Sequence, residues 1–185
     1  MPKVKPIVSI ENVVATATIA ESLDLDFLAN RLPSSSYEPK KFPGLVFKQP
    51  KPATTTLIFS SGKLVCTGAR SEAQARRAVA QVVKMLKEKG LNVYAEPKLT
   101  IQNVVGTASL GGTVLVEELA KRMKASIYEP ELFPGAIHRM EEPEVVFLIF
   151  SSGKLVCVGA KKESDVYKAI GKLHETLEGK GLIAY

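Results

Sequence analysis

The chain is poor in the residues that most often carry chemistry. Among its 185 residues there are two cysteines, two histidines and no tryptophan. Cys66 and Cys157 have the same apolar neighbours, so we expect small core residues rather than a disulfide. His138 and His174 lie in different contexts without the spacing of zinc ligands, and no glycine-rich phosphate loop follows a strand. We therefore predict no metal, no cofactor and no catalytic activity.

Long apolar segments are also absent. No run of about 18 apolar residues occurs, so the sequence predicts no membrane-spanning helix. Residues 1–9 lack the apolar stretch and the cleavage site of a secretory signal. The composition, with 45% hydrophobic and 24% charged residues, is typical of a globular domain. We expect a cytoplasmic protein.

The chain instead contains an internal repeat with an offset of 91 residues. Three pairs of segments carry it: LIFSSGKLVC at 57–66 and 148–157, IENVVATA and IQNVVGTA at 10–17 and 101–108, and YEPKKFPG and YEPELFPG at 37–44 and 128–135. Solenoid units are shorter, about 20 to 50 residues. The sequence therefore predicts two copies of one αβ module, residues 1–91 and 92–185, related by a pseudo-twofold axis.

The net charge of +6 indicates a polyanionic partner only weakly, because many solvated surfaces are basic. Its distribution says more. Residues 1–91 contain 14 Lys and Arg against 7 Asp and Glu, whereas residues 92–185 contain 11 against 12. The two copies are therefore expected to share a scaffold and to present different charges.

Each copy is predicted to follow the order β-α-β-β-β-β-α in an α+β fold, with about five strands once the first strand is allowed to bend or to be joined by a short strand near Phe47. In the first copy the pattern gives a strand at 8–19, a short helix at 23–32, strands at 45–49, 54–61 and 63–69, and a helix from Ser71 to Gly90. The closing helix of the second copy is expected from Ser164 to Glu178. Ser61 and Gly62 mark a tight hairpin, which favours an antiparallel sheet.

One face of this sheet is expected to stay open, because two helices per copy cannot cover both faces. Side chains alternate along a strand. If the helices cover Val13, Ile58, Leu64 and Cys66, apolar residues remain on the open face. They are Val14, Leu57, Phe59 and Val65 in the first copy and Val105, Leu148, Phe150, Val156 and Val158 in the second.

An exposed apolar patch of this kind usually marks a binding surface. Lys48, Lys63, Arg139 and Lys154 are predicted at its rim. One alternative is that the two copies stack face to face, but a dry interface would bury these charges unpaired. A second is a module that binds an apolar protein or small ligand, and a third is a substrate-binding module of a nucleic-acid enzyme. An apolar surface with a basic rim favours a nucleic-acid groove.

These same segments resemble the TATA-binding protein family of archaeal and eukaryotic transcription. The resemblance covers the chain from about Val8 onward and rests on the paired NVV-TA, YEP--FPG and LIFSSGK segments and on CTGAR and CVGAK. It implies a saddle, a curved antiparallel sheet with helices on the convex face. The start of the chain close to the conserved core, and FPG in both copies, make it similar to archaeal members.

The resemblance also implies roles for individual residues in binding the minor groove of TATA elements. The family inserts phenylalanine wedges between base steps, which match Phe42, Phe59, Phe133 and Phe150. Contacts to the bases and the groove floor match Asn12, Val14, Leu57, Val65, Thr67, Asn103, Val105, Leu148, Val156 and Val158. Contacts to phosphates match Lys48, Ser61, Lys63, Arg139, Ser152 and Lys154. Val158 departs from the threonine that many relatives carry.

The partners implied by the resemblance are double-stranded DNA, transcription factor B and, through the preinitiation complex, RNA polymerase. The docking segment for factor B matches Glu129, Glu131 and Leu132, whose acidic charge calls for a basic partner. The resemblance implies a monomer on DNA and leaves self-association of the free protein open. The alternative function is a nucleic-acid-binding or protein-binding saddle without promoter selectivity.

Overall fold

The computed structural model describes residues 4–185, so the first three residues of the predicted repeat 1–91 lie outside the described residues. The contacts between residues divide the chain into two compact units. The first unit is Asn12–Gln102, and the second consists of residues 4–11 together with Asn103–Tyr185. Each unit contains most of one sequence repeat.

The first unit is an antiparallel sheet with two helices. Its elements are β1 (Ile7–Thr18, of which the part from Asn12 belongs to this unit), α1 (Leu25–Ala29), β2 (Ser35–Ser36), β3 (Leu45–Pro50), β4 (Ala53–Ile58), β5 (Lys63–Ala69) and α2 (Glu72–Glu88). The strands lie in the order β2-β3-β4-β5-β1. This is the predicted succession of elements.

The second unit has the same plan with one addition. Its elements are β6 (Leu99–Ser109, from Asn103 in this unit), β7 (Thr113–Val114), α3 (Val116–Arg122), β8 (Ser126–Ile127), β9 (Ala136–Glu141), β10 (Glu144–Ile149), β11 (Lys154–Ala160), α4 (Glu163–Gly179) and β12 (Ile183–Ala184). The main sheet has the order β6-β11-β10-β9-β8, and β7 pairs with β12. That short pair was not predicted, because two residues are too few to show an alternating pattern.

Helix α2 packs on β5 through the apolar stripe expected from the sequence. Ala75, Val79, Val82 and Leu86 are buried, and they recur at the three- and four-residue steps of one helix face. The helix begins after Ser71, whose hydroxyl accepts a hydrogen bond of 3.0 Å from the backbone N–H of Gln74. This cap satisfies one of the N–H groups that a helix start leaves without a partner.

Helix α4 begins one residue earlier than predicted, at Glu163 rather than Ser164. Lys162 occupies the position of Ser71 in the repeat and makes no side-chain hydrogen bond to the helix start. Ser164, the expected first residue, therefore lies inside the first turn. Packing of Val166 and Ile170, both fully buried, holds this helix on the sheet.

The two cysteines lie in the cores of the two units, as expected. Both are free and their side chains are fully buried. Burial raises the pKa of the Cys66 thiol and raises that of Cys157 to about 12, because a buried thiolate loses its hydration. Both thiols therefore stay protonated at neutral pH.

In each unit the helices cover one face of the sheet, which confirms the predicted α+β fold class. Val13, Ile58, Leu64 and Cys66, the residues expected beneath the helices of the first unit, are fully buried. Within residues 4–185, no helix has the length and apolar character needed to cross a membrane.

Candidate nucleic-acid interface

The first unit has an open face lined by partly exposed apolar residues. Leu57 on β4 lies directly opposite Val46 on β3 and Val65 on β5. Val65 in turn lies opposite Thr16 on β1. Opposed residues of an antiparallel pair project from the same face, so these four side chains form a continuous row.

The second unit has an equivalent row. Leu148 on β10 lies opposite Ile137 on β9 and Val156 on β11. Val156 lies opposite Thr107 on β6. All four side chains are partly exposed, whereas Phe147 and Ile149, on either side of Leu148, are fully buried. The alternation is therefore the one predicted.

The remaining residues predicted for the open faces are also partly exposed. They are Val14, Phe59 and Thr67 in the first unit and Val105, Phe150 and Val158 in the second. Other open-face residues were not among the predicted site residues, namely Thr16, Val46, Thr55, Thr107, Ile137 and Val146. A signal existed for two of them, since Thr55 and Val146 lie two positions before Leu57 and Leu148 on the same strands.

Each unit carries a pair of phenylalanines in edge-to-face contact. The ring centroids of Phe42 and Phe59 are 5.9 Å apart with an angle of 67° between the planes, and those of Phe133 and Phe150 are 5.8 Å apart at 61°. Phe42 is 39% exposed, and Phe59, Phe133 and Phe150 are partly exposed. Such edge-to-face pairs stabilise each other's orientation.

A glycine beneath each pair creates the space for the rings. A Cβ atom on Gly44 would lie 2.8 Å from Phe42 Cε1 and 3.0 Å from Phe59 Cε1. A Cβ atom on Gly135 would lie 2.9 Å and 3.1 Å from the same atoms of Phe133 and Phe150. The FPG segment thus supplies both a ring and the small residue on which the two rings rest.

The hairpin between β4 and β5 fixes the second ring of its pair. The N–H of Phe59 donates to the carbonyl of Lys63, and the N–H of Gly62 donates to the carbonyl of Phe59. Gly62 has φ of +83°, and a Cβ there would lie 1.9 Å from the carbonyl oxygen of Ala20. Only glycine fits this turn.

The second unit repeats this hairpin. The N–H of Phe150 donates to the carbonyl of Lys154, and Gly153 has φ of +82°. A Cβ on Gly153 would lie 1.9 Å from the carbonyl oxygen of Gly112. The recurrence of SSG in both copies therefore has a steric cause.

Asn12 and Asn103 occupy equivalent positions and make equivalent hydrogen bonds. The side-chain oxygen of each accepts a bond of 2.8 Å, from the N–H of Gly68 and of Gly159 respectively. Each amide oxygen therefore faces the glycine N–H, and the NH₂ group of the same side chain lies at the opposite end, away from that N–H. In the first unit, Asn12 Nδ2 also donates to Thr67 Oγ1 over 3.4 Å.

The basic residues predicted at the rim are exposed. Lys48 lies opposite Thr55 and Arg139 opposite Val146, both on open-face positions. Lys63 and Lys154 begin β5 and β11, directly after the hairpins that hold Ser61 and Ser152. Within the described part of the chain, none of these four cations forms an ion pair, so their charges are available to a ligand.

A depression lies beside each hairpin. The one in the first unit has a volume of about 830 Å³ and is lined by Phe59, Ser61, Lys63 and Val65 among others. The one in the second unit has about 770 Å³ and is lined by the corresponding residues. Both combine an apolar wall with a lysine, which suits a partner that has flat apolar surfaces and negative charge.

The segments before Phe42 and Phe133 form the same turn but carry different side chains. In the second unit, the N–H groups of Leu132 and Phe133 donate to the carbonyl of Glu129, and Lys41 and Phe42 bond to Glu38 in the same way in the first. Lys41 Nζ lies 2.7 Å from Glu38.

Leucine takes the place of that lysine in the second unit. Leu132 is 81% exposed, and Glu129 and Glu131 are exposed beside it. The three residues predicted as a protein contact therefore lie together on one accessible turn. Their combination of an exposed apolar side chain with two carboxylates is absent from the first-unit turn, where Glu38 is paired with Lys41.

Comparison with known proteins agrees with these features. The family model of transcription factor TFIID, or TATA-binding protein, matches residues 7–89 and 98–179. The TATA-box-binding protein of Pyrodictium occultum is 48% identical over 174 residues, which cover 94% of this chain and 87% of the relative. That of Archaeoglobus fulgidus is 45% identical, with 95% and 97% covered. The solved Methanococcus jannaschii TBP superposes with a TM-score of 0.85 at 41% identity, covering 93% of this chain and 98% of that one.

Proposed function

The chain belongs to the TATA-binding protein family, and we propose that it is an archaeal general transcription initiation factor that binds the minor groove of A·T-rich TATA elements. That family consists of transcription factors rather than enzymes. The observation that carries the proposal is the open apolar face of each unit, bordered by a phenylalanine pair and by unpaired cations. The two repeats, 1–91 and 92–185, are proposed as the two DNA-binding halves.

The groove floor is formed by the residues of the open faces. In the minor groove, A·T pairs present only acceptors, whereas G·C pairs add the guanine amino group. A floor of valine and leucine leaves no partner for that amino group and no room for it. We therefore infer that Val14, Leu57, Val65, Val105, Leu148 and Val156 select A·T pairs by exclusion, with Thr67 and Val158 at equivalent places beside them.

The phenylalanine pairs act as wedges. An aromatic ring that enters a base step replaces part of the stacking that is lost, which offsets an unstacking cost of a few kcal/mol. Phenylalanine has no polar atom to desolvate on insertion. The edge-to-face contact with Phe42 or Phe133 supports Phe59 or Phe150 before DNA arrives, so little side-chain entropy is lost on binding.

The two asparagines supply hydrogen bonds to the bases. Because the oxygens of Asn12 and Asn103 are engaged by the N–H groups of Gly68 and Gly159, their NH₂ groups are the ends left to meet a ligand. An NH₂ group donates to the N3 of adenine and the O2 of thymine. The backbone contact therefore orients each amide as a donor toward a surface that presents acceptors.

Phosphate contacts come from Lys48, Lys63, Arg139 and Lys154, with the hydroxyls of Ser61 and Ser152. Cations at the rim neutralise backbone phosphates and position the protein without selecting sequence.

The proposed function places the protein in the cytoplasm, on the DNA of the nucleoid. It binds this DNA as a monomer.

Binding to two duplexes tests this function. A duplex with a TATA-like A·T element should bind more tightly than one with G·C pairs in its place, and Leu148→Asp should weaken the binding more than about tenfold. Tyr167→Asp, which places the same charge on an exposed site of α4, should bind like the parent. Equal affinity for both duplexes would indicate a saddle without promoter selectivity, and no binding would reject the proposal.

We further propose that Glu129, Glu131 and Leu132 bind transcription factor B, which then recruits RNA polymerase. The exposed leucine offers an apolar contact, and the two carboxylates attract a basic surface. Glu129→Lys combined with Glu131→Lys should abolish the ternary complex with DNA and factor B in a gel-shift assay and leave DNA binding intact. Glu38→Lys, the matched change in the first unit, should form the ternary complex normally. A ternary complex unaffected by the double reversal would refute this assignment.

A further inference from the structure

Two pairs of facing residues differ between the open faces of the units. Thr55 and Thr67 lie opposite each other on β4 and β5, whereas Val146 and Val158 take the equivalent positions on β10 and β11. All four side chains are partly exposed. Threonine and valine differ by a hydroxyl in place of a methyl group, so the first unit presents two hydroxyls where the second presents only apolar atoms.

The surroundings of the two pairs reinforce this difference. In the first unit Asn12 Nδ2 donates to Thr67 Oγ1 over 3.4 Å, so an amide and a hydroxyl are linked. In the second unit Asn103 is held in the same way by the N–H of Gly159, but Val158 has no oxygen to receive its amide. The linked amide and hydroxyl of Asn12 and Thr67 in the first unit therefore have no counterpart at Asn103 and Val158 in the second.

We propose that the two units discriminate base pairs unequally, with the valine pair excluding a G·C pair from the place that it faces and the threonine pair tolerating one at the matching place in the other half of the site. This inference rests on the proposed minor-groove function. A threonine hydroxyl accepts a hydrogen bond from the guanine amino group or donates one to an acceptor of an A·T pair. Valine does neither, so a guanine amino group placed against Val146 and Val158 would lose its water and gain no partner.

The consequence is an orientation preference on the DNA. A site made entirely of A·T pairs with a palindromic sequence offers both halves equally to each unit. A site with a G·C pair in one half should be bound with the first unit over that half, because the opposite orientation places the amino group against the valine pair. The preference thus arises from four side chains without any asymmetry in the wedges.

Orientation is measured with a DNA-cleaving iron chelate attached to a single exposed cysteine. Ser60→Cys places the chelate on the hairpin of the first unit and Ser151→Cys on that of the second. The native cysteines are fully buried and should not react. On a palindromic A·T duplex with one G·C pair, we expect the Ser60→Cys protein to cut mainly the G·C half and the Ser151→Cys protein mainly the other. Equal cutting of the two halves would overturn the inference.

Three controls test whether the guanine amino group and the four side chains cause the preference. An inosine·cytosine pair lacks the amino group in the minor groove, so replacing guanine with inosine should restore equal cutting. The double variant Val146→Thr with Val158→Thr should also restore it and should bind the G·C duplex roughly as tightly as the A·T duplex, within about threefold. Thr55→Val with Thr67→Val should instead weaken binding to the G·C duplex by roughly tenfold, because neither orientation then places a threonine pair over the G·C half. An orientation preference that persists on the inosine duplex, or in the Val146→Thr and Val158→Thr double variant, contradicts the proposal.

The same samples separate this inference from the proposed function. Failure to bind the unmodified A·T duplex would reject minor-groove binding itself. Normal binding to that duplex, combined with equal cutting of the G·C duplex by both labelled proteins, would leave the function standing and reject only the unequal discrimination. Circular dichroism of each double variant verifies that the fold is retained, and the two reciprocal variants test the proposal independently of each other.

Discussion

At the scale of single residues, the glycine beneath each phenylalanine pair determines where the rings lie. Gly44 and Gly135 lack positive φ angles, so alanine is compatible with their backbones. The closest atoms to an added Cβ are ring carbons at 2.8–3.0 Å in the first unit, which is closer than van der Waals contact allows. In the first unit the rings would therefore have to move while the backbone stays in place. In the second unit the carbonyl oxygen of Ile149 also lies 3.2 Å from the added Cβ, so the backbone there would have to shift slightly as well.

Gly44→Ala combined with Gly135→Ala should consequently reduce DNA bending strongly and the free energy of unfolding only slightly. The displaced rings no longer meet the base steps in the orientation that the edge-to-face contact provides. Energy transfer between dyes at the duplex ends reports the bend, and urea unfolding reports stability. Gly171→Ala, in α4 with no atom within 4 Å of an added Cβ, should bend DNA normally and stabilise the helix by up to about 1 kcal/mol. Unchanged bending by the double alanine variant would show that ring placement does not depend on these glycines.

His138 is a second residue whose environment has a measurable consequence. It is buried where the first unit has Phe47, it stacks on Phe147 with ring centroids 6.3 Å apart, and its Nδ1 lies 2.8 Å from Ser126 Oγ. Burial lowers the pKa of His138, because the charged imidazolium loses its hydration. The neutral form is therefore the one that the fold favours.

Acid should accordingly destabilise the fold through this group. In the unfolded chain, His138 binds a proton with the ordinary histidine pKa of about 6.5. The stability gained from burying the neutral ring is therefore fully present above that pH. It is lost as the pH falls through about 6.5 toward the lower pKa of the folded state. We expect His138→Phe to lose less free energy of unfolding between pH 7.5 and pH 5.5 than the parent does in urea titrations. Phe47→His should lose more free energy of unfolding than the parent over the same pH interval. The same pH dependence in His138→Phe as in the parent would contradict this reasoning.

At the scale of elements, the repeat made most of each unit predictable. Strand β5 and helix α2 follow the sequence pattern closely, because alternation and three- to four-residue apolar steps each point to one structure. The start of α4 and the β7–β12 pair were missed for local reasons. Lys162 replaces the capping serine, and the paired strands have two residues each.

The missing cap of α4 gives a reciprocal pair of changes. Ser71→Ala removes the bond from Gln74 N and should cost about 1 kcal/mol of unfolding free energy. Lys162→Ser introduces the same cap in α4 and removes a cation from a helix start, where the dipole disfavours it, so it should stabilise by a similar amount. Chemical denaturation of both proteins provides the measurement. A loss of stability in Lys162→Ser would show that the backbone at this start cannot use a serine cap.

The open faces were predictable only in part. Strand alternation identified the partly exposed rows that contain Leu57 and Leu148, because each strand has a fully buried set on its other side. The pairing partners Val46 and Ile137 were missed, since register between β3 and β4 or β9 and β10 is not visible in a single strand. The roles of Asn12 and Asn103 came from family resemblance. Their bonds to Gly68 and Gly159 depend on contacts 56 residues apart in sequence.

At the scale of the whole molecule, charge distribution distinguishes the proposed DNA contacts from the proposed protein contact. The rim cations recur in both units, whereas the exposed acidic turn with Leu132 is present in the second alone. The common set of cations implies that phosphates are contacted by both halves. The unique turn restricts the proposed factor B contact to the second unit.

Salt dependence provides a quantitative test of the rim. Plotted against log salt, log affinity for the A·T duplex should fall linearly, and each of Lys48→Ala and Arg139→Ala should reduce the slope by about 0.9. Fluorescence anisotropy over a salt series measures this. Phe150→Ala should lower the affinity and leave the slope unchanged, because the ring releases no counterions. If the Lys48→Ala and Arg139→Ala proteins have the same slope as the parent, these two residues do not contact phosphates.

DNA bending tests the central claim most directly. Energy transfer between dyes at the two ends of a duplex is recorded while the protein is added to a TATA-like A·T duplex and to a G·C-substituted one. We predict increased transfer on the A·T duplex alone, and its loss in the Phe133→Ala and Phe150→Ala double variant, because the wedges that open the base steps are gone. Tight binding without bending, or equal bending of both duplexes, would contradict minor-groove recognition by these phenylalanines.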